Sequence, residues 1–238
     1  MTASHPLVRV CNLGRVSYTT ALSIQKSIQT NIKNSLDNKK SYKACSNTLI
    51  LCEHNPVYTI GIRTKDYPKQ EEERLKKLGA EFLQTDRGGL ITFHGPGQLV
   101  AYPILYLGDF KKSVRWYVCQ LEKCIIETCR RFSIQGETSP HTGVWVNDNK
   151  IAAIGVQCKR FVTCHGLALN CNTDLSWFSN IIPCGIEGKG VTSLTAELGK
   201  EIRVDDAIPS FVDAFSQQFQ CDVEGVDVKE LKKDVNLR

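Results

Sequence analysis

Secretion signals, metal-binding cysteine pairs, long apolar runs and low-complexity tracts are all missing from this 238-residue chain. There is no N-x-S/T sequon and no apolar secretory region near Met1, which argues against an exported protein. No two of the eleven cysteines stand as C-x-x-C, and their number is odd, so neither a zinc site nor a disulfide framework is suggested. Reduced thiols in an intracellular or organellar compartment are expected instead, most of them small core residues. No apolar run approaches the length of a membrane span, so a soluble protein without a membrane partner is expected. Long Lys/Arg runs, zinc-finger spacing and aromatic-interleaved RNA motifs are absent too, so nucleic acid is not an expected partner. Acidic residues do not appear before Asp37, while Arg9 and Arg15 do. That start is similar to a mitochondrial presequence, although residues 17–36 read better as a structural helix.

What is present is ordinary for a folded protein: 23% charged and 42% hydrophobic residues. The length suits one domain with an appended subdomain. The net charge of +5 is unevenly placed. Residues 1–119 hold 17 basic and 9 acidic side chains, and residues 120–238 hold 13 and 16, so an acidic partner would meet the first half.

Ser17 can cap a helix on which Leu22, Ile24, Ile28, Ile32 and Leu36 recur every three or four residues, closing near Asn38. Thr48–Cys52 and Val57–Ile60 read as short strands broken by Asn55-Pro56, and residues 70–78 as a charged helix ended by Gly79. Phe82–Gln84 leads into a glycine-rich turn over residues 86–98, where four glycines imply positive φ and close backbone approach. Leu99–Leu105 follows as a strand and residues 113–132 as a helix. Val144–Val146 and Ile151–Gln157 form a hairpin around Asn147-Asp148-Asn149, with Lys150 where it turns back. Residues 166–170 make a further strand and 175–179 a short helix. On residues 205–219, Ile208, Phe211, Val212, Phe215 and Phe219 share one face of a closing helix. Strands mixed with a few helices, without regular β-α-β alternation, indicate α+β.

Cys184 differs from the other cysteines. It stands between Pro183 and Gly185, in a tight loop whose following amides are free to face an oxyanion, as a nucleophile requires. A thiol attacks as its thiolate, so a cation or base must lie beside it; Lys150, His94 and His165 are the candidates. Lys150 begins a strand in which Ala152, Ala153 and Gly155 are small enough for a substrate to lie along the backbone. Arg87-Gly88-Gly89 could hold a phosphate on its amides, but it is not a Walker or dinucleotide pattern.

Three blocks resemble the octanoyl (lipoyl) transferase family, in the right order: Arg87-Gly88-Gly89 through His94-Gly95-Pro96-Gly97-Gln98; Gly143-Val144-Trp145-Val146 through Lys150 to Gly155; and His165 to Asn170 with Pro183-Cys184-Gly185 and Val191-Thr192-Ser193-Leu194. The resemblance implies a mixed central sheet flanked by helices, similar to the biotin/lipoate protein ligase catalytic domain, with a small C-terminal subdomain. It implies one catalytic domain over residues 1–238, with its core at about 8–220. The family's nucleophile falls on Cys184 and its essential lysine on Lys150. Substrate contacts fall on Arg87, Gly88, Gly89, Leu90, Ile91, Thr92, Phe93 and His94, on Ala153, Ile154 and Gly155, and on Gly166, Leu167 and Ala168. Ala153 stands where bacterial members often have Ser, and Leu90 where a polar residue is common.

On this resemblance the donor is octanoyl acyl carrier protein, and the acceptors are apo-lipoyl domains of 2-oxoacid dehydrogenases and the glycine cleavage H protein. Cys184 would carry the acyl group as a thioester. No metal or cofactor is expected, and the compartment is the mitochondrion, with a bacterial-type cytoplasm as the alternative. The competing readings are an ATP-dependent lipoate- or biotin-protein ligase, which needs no cysteine, and a non-catalytic protein that binds acyl carrier protein or lipoyl domains.

Overall fold

The computed structural model describes residues 5–38, 47–63, 67–181 and 189–234. Its strands are β1 (Leu7–Val16), β2 (Thr48–His54), β3 (Val57–Ile60), β4 (Glu81–Gln84), β5 (Thr92–His94), β6 (Gln98–Ile104), β7 (Glu137–Thr138), β8 (Val144–Val146), β9 (Asn149–Lys159), β10 (Val162–Asn170), β11 (Gly190–Val191) and β12 (Asp222–Gly225). Its helices are α1 (Tyr18–Asn38), α2 (Lys69–Lys76), α3 (Val114–Arg131), α4 (Leu194–Leu198), α5 (Val204–Phe219) and α6 (Val228–Asp234), with a 3-10 turn at Leu175–Asn180.

Among the described residues the main sheet runs β12-β1-β2-β6-β10-β9-β8-β7, and β11 joins β9 on the side where β10 ends. It is mixed: β1 runs parallel to β2 and β12, while β2, β6, β10, β9 and β8 pair antiparallel in succession. β6 and β10 are buried along their whole length, as central strands covered on both faces must be. A second, three-stranded sheet, β4-β3-β5, stands apart. The architecture is therefore the expected α+β arrangement. The Asn55-Pro56 break does more than end a strand, because it sends β2 and β3 into different sheets.

Each helix forms for a local reason. Ser17 caps α1 by accepting from the Thr20 amide at 3.1 Å, and Ala21, Ile24, Ile28 and Ile32 bury one stripe against β2, β6 and β10. Ser113 caps α3 by accepting from the Trp116 amide at 3.2 Å. Tyr117, Leu121, Cys124, Ile125 and Cys129 of α3 pack on the opposite sheet face with Phe211, Phe215 and Phe219 of α5. The C-terminal stretch expected as a small subdomain extends this same body. β12, beyond the expected core limit near residue 220, pairs Asp222–Gly225 with Leu7–Val10, and Leu231 of α6 is buried beneath β1 and α1.

Two boundaries differ from the sequence reading. Asn149 belongs to β9, so the hairpin turns on Asn147-Asp148 alone, with Asn147 at φ 53°. The glycine-rich window is not one turn: Thr92–His94 pairs with β3, and Gln98 already begins β6.

Candidate functional site

The cross-strand register of β9 and β10 makes a trench. Ala153 opposes Ala168 and Gly155 opposes Gly166, so one face of this strand pair, buried along β10 and half-buried at Ala153 and Gly155 of β9, carries almost no side-chain volume. Val100 opposes Ala168 from β6 and extends the same floor. Above it lie Tyr18 of α1 and the segment containing Arg87, Gly89, Leu90, Thr92 and His94, leaving a narrow cleft of about 40 Å³ between them. Backbone fills what side chains leave: a Cβ on Gly166 would stand 2.1 Å from the Ala101 carbonyl oxygen, and one on Gly155 3.0 Å from the Arg87 side chain.

Of the residues expected at the substrate, Arg87, Gly89, Leu90, Thr92, His94, Ala153, Ile154, Gly155, Gly166, Leu167 and Ala168 all line this cavity. Gly88 lies beside it, on an outer groove that also reaches Gly89, Leu90 and Ile154. Ile91 and Phe93 do not line this cavity. Strand alternation turns them, with Tyr58 and Phe178, into the core beneath the small sheet, where Phe93 stacks on Trp177 at 5.0 Å. The anion-cradle reading of Arg87-Gly88-Gly89 also fails for Gly88, whose amide donates to the Val156 carbonyl at 3.0 Å. Arg87 itself is buried, and its guanidinium donates to the carbonyls of Thr59, Gly88 and Leu90, clamping the loop onto β3. Only two of the window's glycines need positive φ, Gly89 at 92° and Gly97 at 76°.

Lys150 is 5% exposed and stands where the outer groove meets a small inner recess formed by Thr92, Gln98, Ala153, Ala168, Asn170, Phe178 and Val191. Thr92, Ala153 and Ala168 line both that recess and the main cavity, so the two adjoin. The ammonium lies 4.7 Å from the centre of the Trp145 ring and donates to the Thr142 carbonyl at 3.3 Å. Gly143, at φ 125°, leaves room for the lysine stem: a Cβ there would be 2.6 Å from the Ala152 carbonyl oxygen and 3.4 Å from Lys150 Cε. β11 fixes the other flank. Val191 pairs with Lys150, and the Thr192 amide donates to the Lys150 carbonyl at 3.0 Å. Cys184 lies outside the described residues, three positions after Ile181 and seven before Val191.

Polar residues hold the walls, His94 and His165 of the sequence reading together with Gln98, Asn170 and His54. His94 Nδ1 donates to Gln98 Oε1 at 2.8 Å, Gln98 Nε2 to Asn170 Oδ1 at 2.9 Å, and Asn170 Nδ2 to the Thr192 carbonyl at 2.9 Å. The chain of bonds thus runs from His94 to the strand that holds Lys150. His165 Nε2 donates to Asp86 Oδ1 at 2.8 Å, and its Nδ1 faces the Tyr18 hydroxyl at 3.4 Å. His54 donates to the Val16 carbonyl and accepts from the Tyr102 hydroxyl at 2.8 Å.

All three histidines are neutral at physiological pH. Burial, then the neighbouring His54 and Arg87, brings His94 down to about 3. Burial brings His54 to about 4, and it brings His165 to about 4 against the opposing pull of Asp86. Burial works against the Asp86 charge as well, but hydrogen bonds from Lys26 and His165 hold the carboxyl at about 2. Neither His94 nor His165 can therefore serve as a cation, which leaves Lys150 as the cationic candidate of the three.

The family model described as the lipoyl protein ligase A/B catalytic domain matches residues 17–216. The chain is similar to the mitochondrial octanoyl-acyl-carrier-protein:protein N-octanoyltransferase of Danio rerio, 60% identical over 221 residues, with 93% of this chain and 96% of that one covered. The Homo sapiens protein of the same name is 44% identical, with 91% and 95% covered. An octanoyltransferase of Caldanaerobacter subterraneus is 40% identical, with 93% and 94% covered. Among solved structures, a putative lipoate protein ligase from T. acidophilum superposes with a TM-score of 0.73 at 14% identity, with 95% of this chain and 91% of that one covered. Lipoate-protein ligase A bound with ATP superposes at 0.74 with 15% identity, again with 95% and 91% covered. At such identities these two share the fold.

Proposed function

The chain belongs to the lipoyl protein ligase A/B catalytic-domain family and, within it, to the octanoyltransferases; from that premise we propose that it moves an octanoyl group from acyl carrier protein to a lysine of apo-lipoyl domains, through a thioester on Cys184. The acceptors are lipoyl domains of 2-oxoacid dehydrogenases and the glycine cleavage H protein, and the compartment is the mitochondrion, in keeping with the names of the animal relatives. The observation that carries the reading is the small-residue trench of Ala153, Gly155, Gly166 and Ala168, which adjoins the recess of a buried lysine.

In the first half-reaction the Cys184 thiolate attacks the octanoyl thioester carbonyl. The carbon–sulfur bond to the carrier breaks, and the carrier leaves as its thiol. In the second, the lipoyl-domain amine attacks the new thioester, an amide forms, and Cys184 is released as a thiol. Lys150 supplies the positive charge that favours the thiolate. The described thiols are poor substitutes for Cys184. None of them lines the cavity, the recess or the groove. Burial pushes Cys11 and Cys164 up to about 11, and Cys129, Cys171 and Cys221 to about 12. Sinking roughly seven methylenes into the trench contributes on the order of 5 kcal/mol before ordering is counted, enough to prefer a medium chain over acetyl.

Intact-protein mass spectrometry tests this directly. Mixed with octanoyl acyl carrier protein and no ATP, the wild type should gain one octanoyl group and lose it on addition of apo-lipoyl domain, while Cys184→Ser should gain none. An adduct that forms only with ATP would assign the chain to the ligases instead.

A further inference from the structure

The cavity has a second end, remote from Lys150, and its construction there is different. Beyond the shared Thr92, Ala153 and Ala168 the lining passes to Gly155 and Gly166 and meets Tyr18, Tyr102, His94 and His165, all buried. A hydrocarbon tail would be served by aliphatic side chains, yet this wall is aromatic and tied down by hydrogen bonds. The Tyr18 ring stacks on His94 at 5.9 Å and an 18° tilt, and leans on His54 at 5.2 Å. Its hydroxyl faces His165 Nδ1. His165 is fixed in turn from three directions. It adopts φ 60°, a conformation rare for a residue with a side chain and usually kept for a functional reason. Its backbone amide donates to Gln25 Oε1 at 2.9 Å, and Nε2 donates to Asp86. Asp86 is gripped by Lys26 at 2.6 Å and Gln157 at 3.2 Å.

We infer that Tyr18, positioned by His165 and Asp86, is the end wall of the acyl cavity and sets the longest chain the enzyme accepts; this rests on the octanoyl-transfer reading above. From Lys150 to Gly155 β9 advances by roughly 13 Å, at about 3.3 Å per residue with one residue taken up by the register shift opposite Val144 and Trp145. The lysine stem enters that span from one end and the tyrosine ring from the other. An extended octanoyl chain measures roughly 9 Å from carbonyl to methyl, with C–C bonds of about 1.5 Å in a zigzag. Two more methylenes add roughly 2.5 Å, and the ring cannot yield that distance without leaving His94 and releasing a buried hydroxyl. Close-packed walls deform little, so a pinned ring discriminates where a loose side chain would adapt.

The test offers equal amounts of octanoyl, decanoyl and dodecanoyl acyl carrier protein to wild type, Tyr18→Ala and Tyr18→Phe, and reads the distribution of acyl-enzyme masses. Tyr18→Ala should raise the decanoyl-to-octanoyl ratio about tenfold or more, the scale on which a pocket senses a methylene. Tyr18→Phe keeps the ring but loses its anchor, and should raise the ratio severalfold. Asp86→Asn, acting through His165, should shift it in the same direction. A folded Tyr18→Ala with the wild-type ratio overturns the inference. If thermal melting shows that this variant does not fold, an unchanged ratio in Tyr18→Phe overturns it. Wild type that takes no acyl group from any carrier overturns the octanoyl-transfer reading and this inference with it. Wild type that is acylated while the variants keep its ratio overturns this inference alone.

Discussion

Lys150 shows how one side chain is made useful by what surrounds it. Its stem is sleeved by Gly143 and its ammonium is set between the Trp145 ring and the Thr142 carbonyl. Lys150→Ala should slow both half-reactions by about a hundredfold or more at neutral pH and move the activity optimum upward, because the thiol loses its cation. A pH–rate profile of the same shape as wild type would count against that role. Lys150→Arg should not rescue it, since the planar guanidinium does not fit a narrow sleeve. Lys150 stands in the sequence beside a run of small residues, and its role was assigned from the family resemblance. Tyr18, His54, Tyr102, Gln98 and Asn170 did not stand out as site residues, because they come from four separate elements, α1, β2, β6 and β10, and have ordinary local contexts. The left-handed backbone of His165 gave no signal either, since no glycine stands there to announce it. Ile91 and Phe93 were read as substrate contacts because they sit inside a contiguous motif, whereas a strand shows only alternate residues to one side.

Elements with a cap and a period were the most legible. Ser17 and Ser113 mark where α1 and α3 begin, and the apolar spacing that follows is the face each buries. β1 and β12 escaped notice for physical reasons. β12 is exposed along all four residues and has no apolar pattern, and β1 mixes Arg9, Asn12, Gly14 and Arg15 into its run. Both become strands through the partners they find, β12 on β1 and β1 on β2. The contrast between capping and close packing is measurable by urea denaturation. Ser113→Ala should lose about 1 kcal/mol, the usual worth of a helix cap. Gly166→Ala should lose about 3 kcal/mol, because the new methyl meets the Ala101 carbonyl and the Pro103 ring in the middle of the sheet, where neither can move aside. Equal losses in the two variants would mean that β6 and β10 can part more easily than their burial implies.

At the scale of the molecule, the buried histidines set the response to acid. Folded His54 and His165 titrate near 4 and His94 near 3, below the unfolded value near 6.5. The unfolded chain therefore binds more protons, and stability present above pH 6.5 is lost as pH falls toward 4 and below, on the order of 2–3 kcal/mol per histidine. Asp86, held at about 2, adds to the loss only below pH 4. Denaturant midpoints measured between pH 7.5 and 4.5 should fall, and His54→Gln should flatten the curve; a flat wild-type profile would mean the histidines bind protons as readily folded as unfolded. The α+β class was legible from the order of elements, but the division into two sheets was not, because it depends on which distant strands meet. One such meeting governs assembly. β1 lies between β2 and β12, with Leu7–Val10 paired to Asp222–Gly225. During synthesis, residues 7–10 must wait for more than two hundred later ones before that edge can close, and until then β1 presents an open flank of the kind that pairs with wrong partners.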